Sequence, residues 1–371
     1  MDKLYEEERK ARMLRDVDRL FSIQNSICRE CKTDAELISN LKLLQNKRNQ
    51  NFDCIKKLVE LILKENKSKE FKETLLKEVL SGKMYLENER VELALDLAKE
   101  YSDRKDANKA YEILNNVPVE TFTDISEKRK NMFIFQQFFL AFVLEKNEES
   151  ELILKKIRKS SMDLEDQIKY FSSKFMSKVS QNRYLEAARI TLESQKVQPS
   201  GNFLTTGAFY CLTSSCKLEK RDITEEKEEL LEVFEKEPLL DSKVRKIIKM
   251  FRNNFLLETD IKQLLKEIVS DYQNSFQILD SYVEWAQIEF NLRIIEKKFS
   301  KISIKLLGEL LQWNETDLIE YLSFMVNEKF INLKVNQITG FIDLGNKDWK
   351  GSVNDVLDKI IECDHLIEMN K

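Results

Sequence analysis

No glycine or proline occurs before Gly82, and the 371-residue chain holds only 7 Gly and 3 Pro. Average usage would give about 26 Gly and about 19 Pro at this length. These two residues are the main punctuators of turns, so their scarcity predicts long helices joined by few tight turns. A charged fraction of 34% suits helices with one wet face. The length allows two or three domains or one extended repeat array. The expected class is all-α, with one small sheet near the C-terminus.

Charge and motif content exclude several functions. The formal net charge is -4, from 61 basic and 65 acidic residues, so there is no global pull on nucleic acid. No run of 18 apolar residues occurs, which predicts no membrane span. The N-terminus, MDKLYEEERKARMLRDVDRL, is charged where a signal peptide needs an apolar stretch. An intracellular protein is therefore expected. Cys28 and Cys31 form a lone C-x-x-C, and Cys54, Cys211, Cys216 and Cys363 are scattered. A zinc site would need a second pair or histidine partners, and the single histidine is His365. A redox reading would need a βαβ context, so free thiols in a reducing compartment are expected. A phosphate-binding loop is missing too: Gly82-Lys83 lacks the upstream glycine and the hydroxyl. The sequence thus predicts a non-enzyme with no catalytic residue, no metal and no cofactor.

Residues 1–80 read as three or so helices. Thr33 or Asp34 is a plausible cap, with Glu36 at capping-box distance from Thr33. Phe71, Leu75, Leu76, Val79 and Leu80 make the next segment amphipathic. From about Asn88, helix-turn-helix pairs follow. Leu93, Ala94, Leu97, Ala98 and Tyr101 form one stripe, broken at SDRKD, before Ala107, Ala110, Tyr111 and Leu114. Two further pairs break at EKNEE and SQN. Ala110, Ser150 and Ala187 fall at equivalent places, 40 and 37 residues apart. That spacing belongs to helical-hairpin repeats, and small residues there let two helices approach closely. VQPSGNF is the strongest break in the chain, and helices resume beyond it.

The C-terminal part changes character. Trp285, Ile288, Leu292, Ile295 and Phe299 mark a helix, and Ile302 and Ile304 suit a short strand. KLLGELLQW reads as a short helix. Asn314 then caps a helix with Leu318, Ile319, Leu322, Met325 and Val326 inward. Ile331, Leu333 and Val335 alternate with polar residues, a turn follows, and Phe341 and Ile342 belong to a second strand. The order helix, strand, helix, helix, strand, strand predicts a winged helix. Many winged helices bind DNA, but residues 302–344 hold six acids and three bases, opposite to what phosphate contact needs. A protein partner is expected instead, with the sheet edges free to pair. In the final segment Val353, Val356, Ile360, Cys363 and Ile367 step 3, 4, 3, 4, and Leu357, Ile361 and Leu366 widen the stripe. That is an a/d seam suited to a helical bundle.

A helical-repeat array, a winged helix and a lone terminal helix in this order resemble the PCI-domain family. That family is shared by the proteasome lid, the signalosome and a large translation initiation factor. NRYLEAARITLES, KMFRNNF, the stretch from ISIKLL to GFIDL, and NKDWKGSVNDVLDKIIECDHLIEMNK carry the likeness. From about Gly82 to Lys371 they are most similar to the lid subunits called non-ATPase subunit 6 in animals and 7 in yeast. Residues 1–80 match only in being helical. Tyr184, Ala187 and Ala188 fall on the family's F-x-x-A-A helix, and Asn346 and Trp349 on its N-x-x-W. The chain stops directly after its last helix, which favours the lid over the signalosome's first subunit. The domains expected are 1–80 helical, 81–198 repeat array, 199–300 helical PCI part, 301–345 winged helix and 346–371 bundle helix. The resemblance implies a scaffold in cytoplasm and nucleus, supporting ubiquitin-dependent degradation without catalysis. Expected partners are other PCI-domain and deubiquitinase-module lid subunits, then the ATPase ring and core particle. Neither nucleic acid nor membrane is expected. A signalosome-like scaffold and an RNA-facing PCI protein of export or initiation complexes are the alternatives.

Overall fold

The computed structural model describes residues 2–65, 68–252, 280–336 and 338–344. The chain divides into two compact units, Met1–Ser177 and Lys178–Lys371. The first unit begins with α1 (Asp2–Leu14), α2 (Val17–Glu30), α3 (Asp34–Gln45), α4 (Phe52–Lys64) and α5 (Lys69–Glu78). Side chains start these helices. Asp16 accepts from Arg19 N at 3.2 Å, Thr33 from Glu36 N at 3.2 Å, and Ser68 from Phe71 N at 3.2 Å. Glu36 reaches back to Lys32 N at 3.0 Å, one residue before the cap, so orphan donors are satisfied in both directions. One hydrophobic core runs from Cys28 to Tyr170 and passes through residue 80 without a break.

Helical hairpins follow: α6 (Glu87–Asp103) with α7 (Ala107–Asn115), and α8 (Glu127–Val143) with α9 (Asn147–Lys155). Then come α10 (Leu164–Ser180), in which the division between units falls, and α11 (Tyr184–Gln195). Ala110, Ser150 and Ala187 are the fourth residues of α7, α9 and α11, and each is wholly buried. The turns before them share one geometry. Lys105, Glu145 and Asn182 sit at φ 63°, 57° and 58°. The next amide then bonds back across the turn: Asp106 N to Tyr101 O, Lys146 N to Ala141 O and Arg183 N to Lys178 O, each at 3.0 Å. This is the Schellman closure, which normally recruits glycine. Arg15, Gln312 and Lys329 occupy the same left-handed region.

The expectation of long helices and few tight turns is therefore corrected. The helices are of ordinary length, the longest described one having 19 residues. Tight turns are frequent, and among the described residues eight non-glycine residues hold a positive φ against two glycines, Gly82 and Gly340. Left-handed backbone costs an L-residue about 1–2 kcal/mol, offset here because each closure satisfies carbonyls that the helix end would orphan.

The second unit continues with α12 (Gly201–Thr213), α13 (Cys216–Glu219), α14 (Thr224–Lys236), α15 (Ser242–Arg252) and α16 (Asp280–Lys298). It ends, among the described residues, with β1 (Lys301–Ser303), α17 (Ile304–Leu311), α18 (Glu315–Asn327), β2 (Lys334–Asn336) and β3 (Phe341–Asp343). The helical array and winged-helix module are thus as the sequence indicates. A single core extends from Leu185 to Leu344. α11 and α12 approach closely at Gly207, where an added Cβ would lie 1.8 Å from Thr191 Oγ1.

Two strand limits differ from expectation. Ile304 opens α17 instead of lying in a strand. Ser303 Oγ accepts from Leu306 N at 3.2 Å, so an N-cap ends the strand one residue earlier. Ile331 and Leu333 precede β2. Lys329, at φ 61°, closes α18 through Phe330 N to Met325 O at 2.9 Å, and this helix end, not a ladder, places them. Asn314 does stand before α18, but its side chain makes no capping bond.

Candidate interaction surface

The three strands form one antiparallel sheet in the order β1-β3-β2. Ile342 pairs with Ile302 on one side and Val335 on the other. Ile302 and Ile342 are buried, so the inner face of this minimal sheet rests on the core. The opposite face carries Lys301, Lys334 and Asp343, with Lys301 Nζ 5.0 Å from the centre of the Phe341 ring. Because β3 is central, β1 and β2 each present an outer edge among the described residues. Both edges are only three residues long and each carries a lysine, features that discourage indiscriminate pairing while leaving room for a selected strand.

A buried polar cluster fixes the module to the preceding helices. Glu289 on α16 accepts from Cys216 N at 2.7 Å and Lys217 N at 3.2 Å, capping the short α13. It also accepts from Tyr321 Oη on α18 at 2.7 Å. Burial, then the Glu289 charge, pushes the Tyr321 phenol far above its ordinary range, so the proton stays on the tyrosine and the bond is charge-assisted. Lys217 Nζ lies 4.3 Å from the Trp285 ring centre, 5.0 Å from that of Tyr321 and 5.6 Å from that of Phe324. Arg293 donates to Asp222 at 3.3 Å and to Cys216 Sγ at 3.4 Å. Lys227 donates to the carbonyls of Leu212 at 2.9 Å and Ser214 at 2.8 Å, closing the end of α12, and burial lowers its pKa. These groups hold helices together. Burial also pushes Cys28, Cys211 and Cys216 up to about 12, so they remain thiols near neutral pH.

The outer surface has a different chemistry. Glu315, Asp317, Glu320 and Glu328 are all exposed on or just after α18, where a DNA-binding winged helix needs bases. Beside them, Ser303, Lys305, Glu315, Ile319 and Phe341 line a surface groove. Leu306 and Phe341 are exposed at its margin, and Ile338, at the turn before β3, is 99% exposed.

Of the residues singled out in the sheet, Ile302, Ile304, Ile331, Leu333 and Ile342 are buried and Val335 is half-buried. They build the module, while only Phe341 faces outward. Val353, Val356, Leu357, Ile360, Ile361, Cys363 and Ile367 lie outside the described residues. The sequence reading missed Ile338 and Glu289. An isoleucine among the turn residues Asn336, Thr339 and Gly340 was an available signal for the first. A glutamate inside the apolar periodicity of α16 was one for the second.

Comparison with known proteins supplies the family level. Residues 1–197 match the family model described as PSMD12/CSN4, N-terminal. The chain is 25% identical over 357 residues to the 26S proteasome non-ATPase regulatory subunit 12 of Dictyostelium discoideum, covering 88% of this chain and 78% of that protein. It is 23% identical to the 26S proteasome regulatory subunit RPN5 of Saccharomyces cerevisiae, over 99% of this chain and 89% of that one. The subunit 12 homolog A of Arabidopsis thaliana is 22% identical, with 99% and 95% covered. The likeness to a proteasome lid subunit of the PCI type stands at that level. The narrower likeness to subunit 6 of animals and 7 of yeast does not, since these relatives carry the subunit 12 and RPN5 names. That likeness rests on the chain from Gly82 onward, on a module order that PCI subunits share. The family match takes in the first eighty residues as well.

Proposed function

Since this chain belongs to the PSMD12/CSN4 family, we propose that it is a non-catalytic scaffold subunit of the 26S proteasome lid, counterpart of subunit 12 and RPN5. The observation that carries this reading is the family match over residues 1–197, continued by proteasomal relatives that align with nearly the whole chain. In this role the chain supports ubiquitin-dependent degradation by holding other PCI-domain and deubiquitinase-module subunits in place beside the ATPase ring. The winged helix makes one contact through the β1 or β2 edge and the apolar margin of Leu306, Ile338 and Phe341. The seam from Val353 to Ile367 makes a second, in a multi-helix bundle. The acidic outer face of α18 supports a protein neighbour over a nucleic acid.

Native gel electrophoresis of the tagged full chain tests the reading. We expect co-migration with a megadalton protease, and reduced entry when Ile338 and Phe341 are both changed to Asp. Because both residues are exposed, the purified variant should keep its melting temperature. Recovery in a complex free of proteasome ATPases would replace this reading with a signalosome-like one. Salt-sensitive RNA binding near physiological ionic strength would favour an RNA-facing PCI protein.

A further inference from the structure

The hairpin repeats of the first unit allow a position-by-position comparison. The outer face of α6 presents Glu92, Asp96, Lys99 and Asp103, all exposed. Forty residues on, the same positions of α8 are Met132, Gln136, Phe139 and Val143. Met132 is 45% exposed, Phe139 58% and Val143 52%. Half-buried Phe135 continues the stripe, since positions three, seven and eleven after Met132 share one helix face. A face that is polar in one repeat is therefore apolar in the next. On α10 the position 37 residues beyond Phe139 is Met176, also exposed. Repeat architecture alone does not require this, because the polar α6 version of the same face folds in the same chain.

The flank of the stripe says what it fits. Arg129 on α8 pairs with Glu92 on α6 at 2.5 Å, so the two outer faces adjoin. With Glu92 so paired, the α6 face keeps two carboxylates, Asp96 and Asp103, against one lysine, Lys99. A ligand seated on Met132, Phe139 and Val143 therefore meets negative charge along one border. The stripe is about 16 Å long at 1.5 Å per residue, or roughly three helical turns. We propose that the α8 face is a docking site for an amphipathic helix from another protein, apolar beneath and basic on the flank turned toward α6. Helix-in-groove recognition uses this spacing of apolar anchors, and the carboxylates set orientation and partner choice. Docking of such a helix does not require the lid assignment.

Fluorescence anisotropy of the full-length protein with two labelled peptides tests this. One is an amphipathic helix of about 18 residues built from Leu and Lys, the other its Leu and Glu counterpart. The Leu/Lys peptide should bind at least about tenfold more tightly. Phe139→Asp with Val143→Asp should remove that binding at an unchanged melting temperature, and the milder Phe139→Gln should weaken it. Asp96→Lys with Asp103→Lys should turn the preference toward the Leu/Glu peptide. Failure of both peptides to bind would overturn the proposal. So would Leu/Lys binding indifferent to the α8 variants, or a preference untouched by the α6 charge reversal. A wild-type dimer in sedimentation that the α8 variants make monomeric would assign the face to a second copy of this chain instead.

Discussion

Single residues carry much of the tension in this fold. Glu89 on α6 is buried, with Lys56 Nζ at 3.6 Å as its ion partner. Desolvation dominates and holds its pKa above the ordinary carboxylate value of 4.5. The folded state then takes up the proton before the unfolded chain does. The penalty of the buried charge is full above the folded pKa and disappears as pH falls toward the unfolded value. Glu89→Gln should therefore raise the melting temperature near about pH 8, with a gain that shrinks toward about pH 5. A gain that grows on acidification would contradict this assignment. Lys105 illustrates a backbone tension. It is exposed at φ 63°, where an L-residue is disfavoured. Lys105→Gly should relieve about 1–2 kcal/mol of steric cost against about 0.5–1 kcal/mol of lost chain entropy. Urea titration should show a net stabilisation between about 0 and about 1.5 kcal/mol, whereas a lowered midpoint would mean the lysine itself supports the turn.

Between elements, close approach matters more than any ladder. α11 and α12 meet where Gly207 faces Thr191, whose hydroxyl donates to Ala188 O at 2.8 Å. Gly207→Ala should destabilise by about 1–3 kcal/mol through overpacking, despite the better helix propensity of alanine. Adding Thr191→Ala should recover most of that loss. If the single variant were neutral by thermal denaturation, the two helices would not be in such close contact. The winged helix depends on a similar non-local joint, since Glu289 gathers amides of Cys216 and Lys217 and the hydroxyl of Tyr321. A buried carboxylate is tolerated there because each contact is a charge-assisted hydrogen bond.

For the whole molecule, each unit has its own packing: a main core and a smaller cluster around Leu20, Ile23 and Ile27 in Met1–Ser177, and one core in Lys178–Lys371. The seam of Val353, Val356, Ile360, Cys363 and Ile367 lies outside the described residues. Removing residues 353–371 should leave a folded, soluble protein that fails to enter the lid. Circular dichroism and a native gel of the truncated chain check the two halves of that expectation, and normal incorporation would refute the bundle role.

Much of this was already written in the order of residues. Amphipathic spacing set the helices, the Thr33 and Glu36 pair announced a capping box, and small residues at 110, 150 and 187 marked the repeats. Local rules suffice there because helix periodicity and caps act within a few residues. The turns depart from the sequence expectation for a physical reason: glycine is favoured at left-handed positions but not obligatory when a Schellman closure offsets the strain. What only the tertiary structure decided joins residues far apart in the chain. Glu289 meets Cys216 and Tyr321, and Glu92 borders Arg129. It also settled which apolar residues stay outside, Ile338 on the wing and Phe139 on α8. Hydrophobicity states that a side chain favours burial, and only the packed chain determines whether its own core or another molecule provides it.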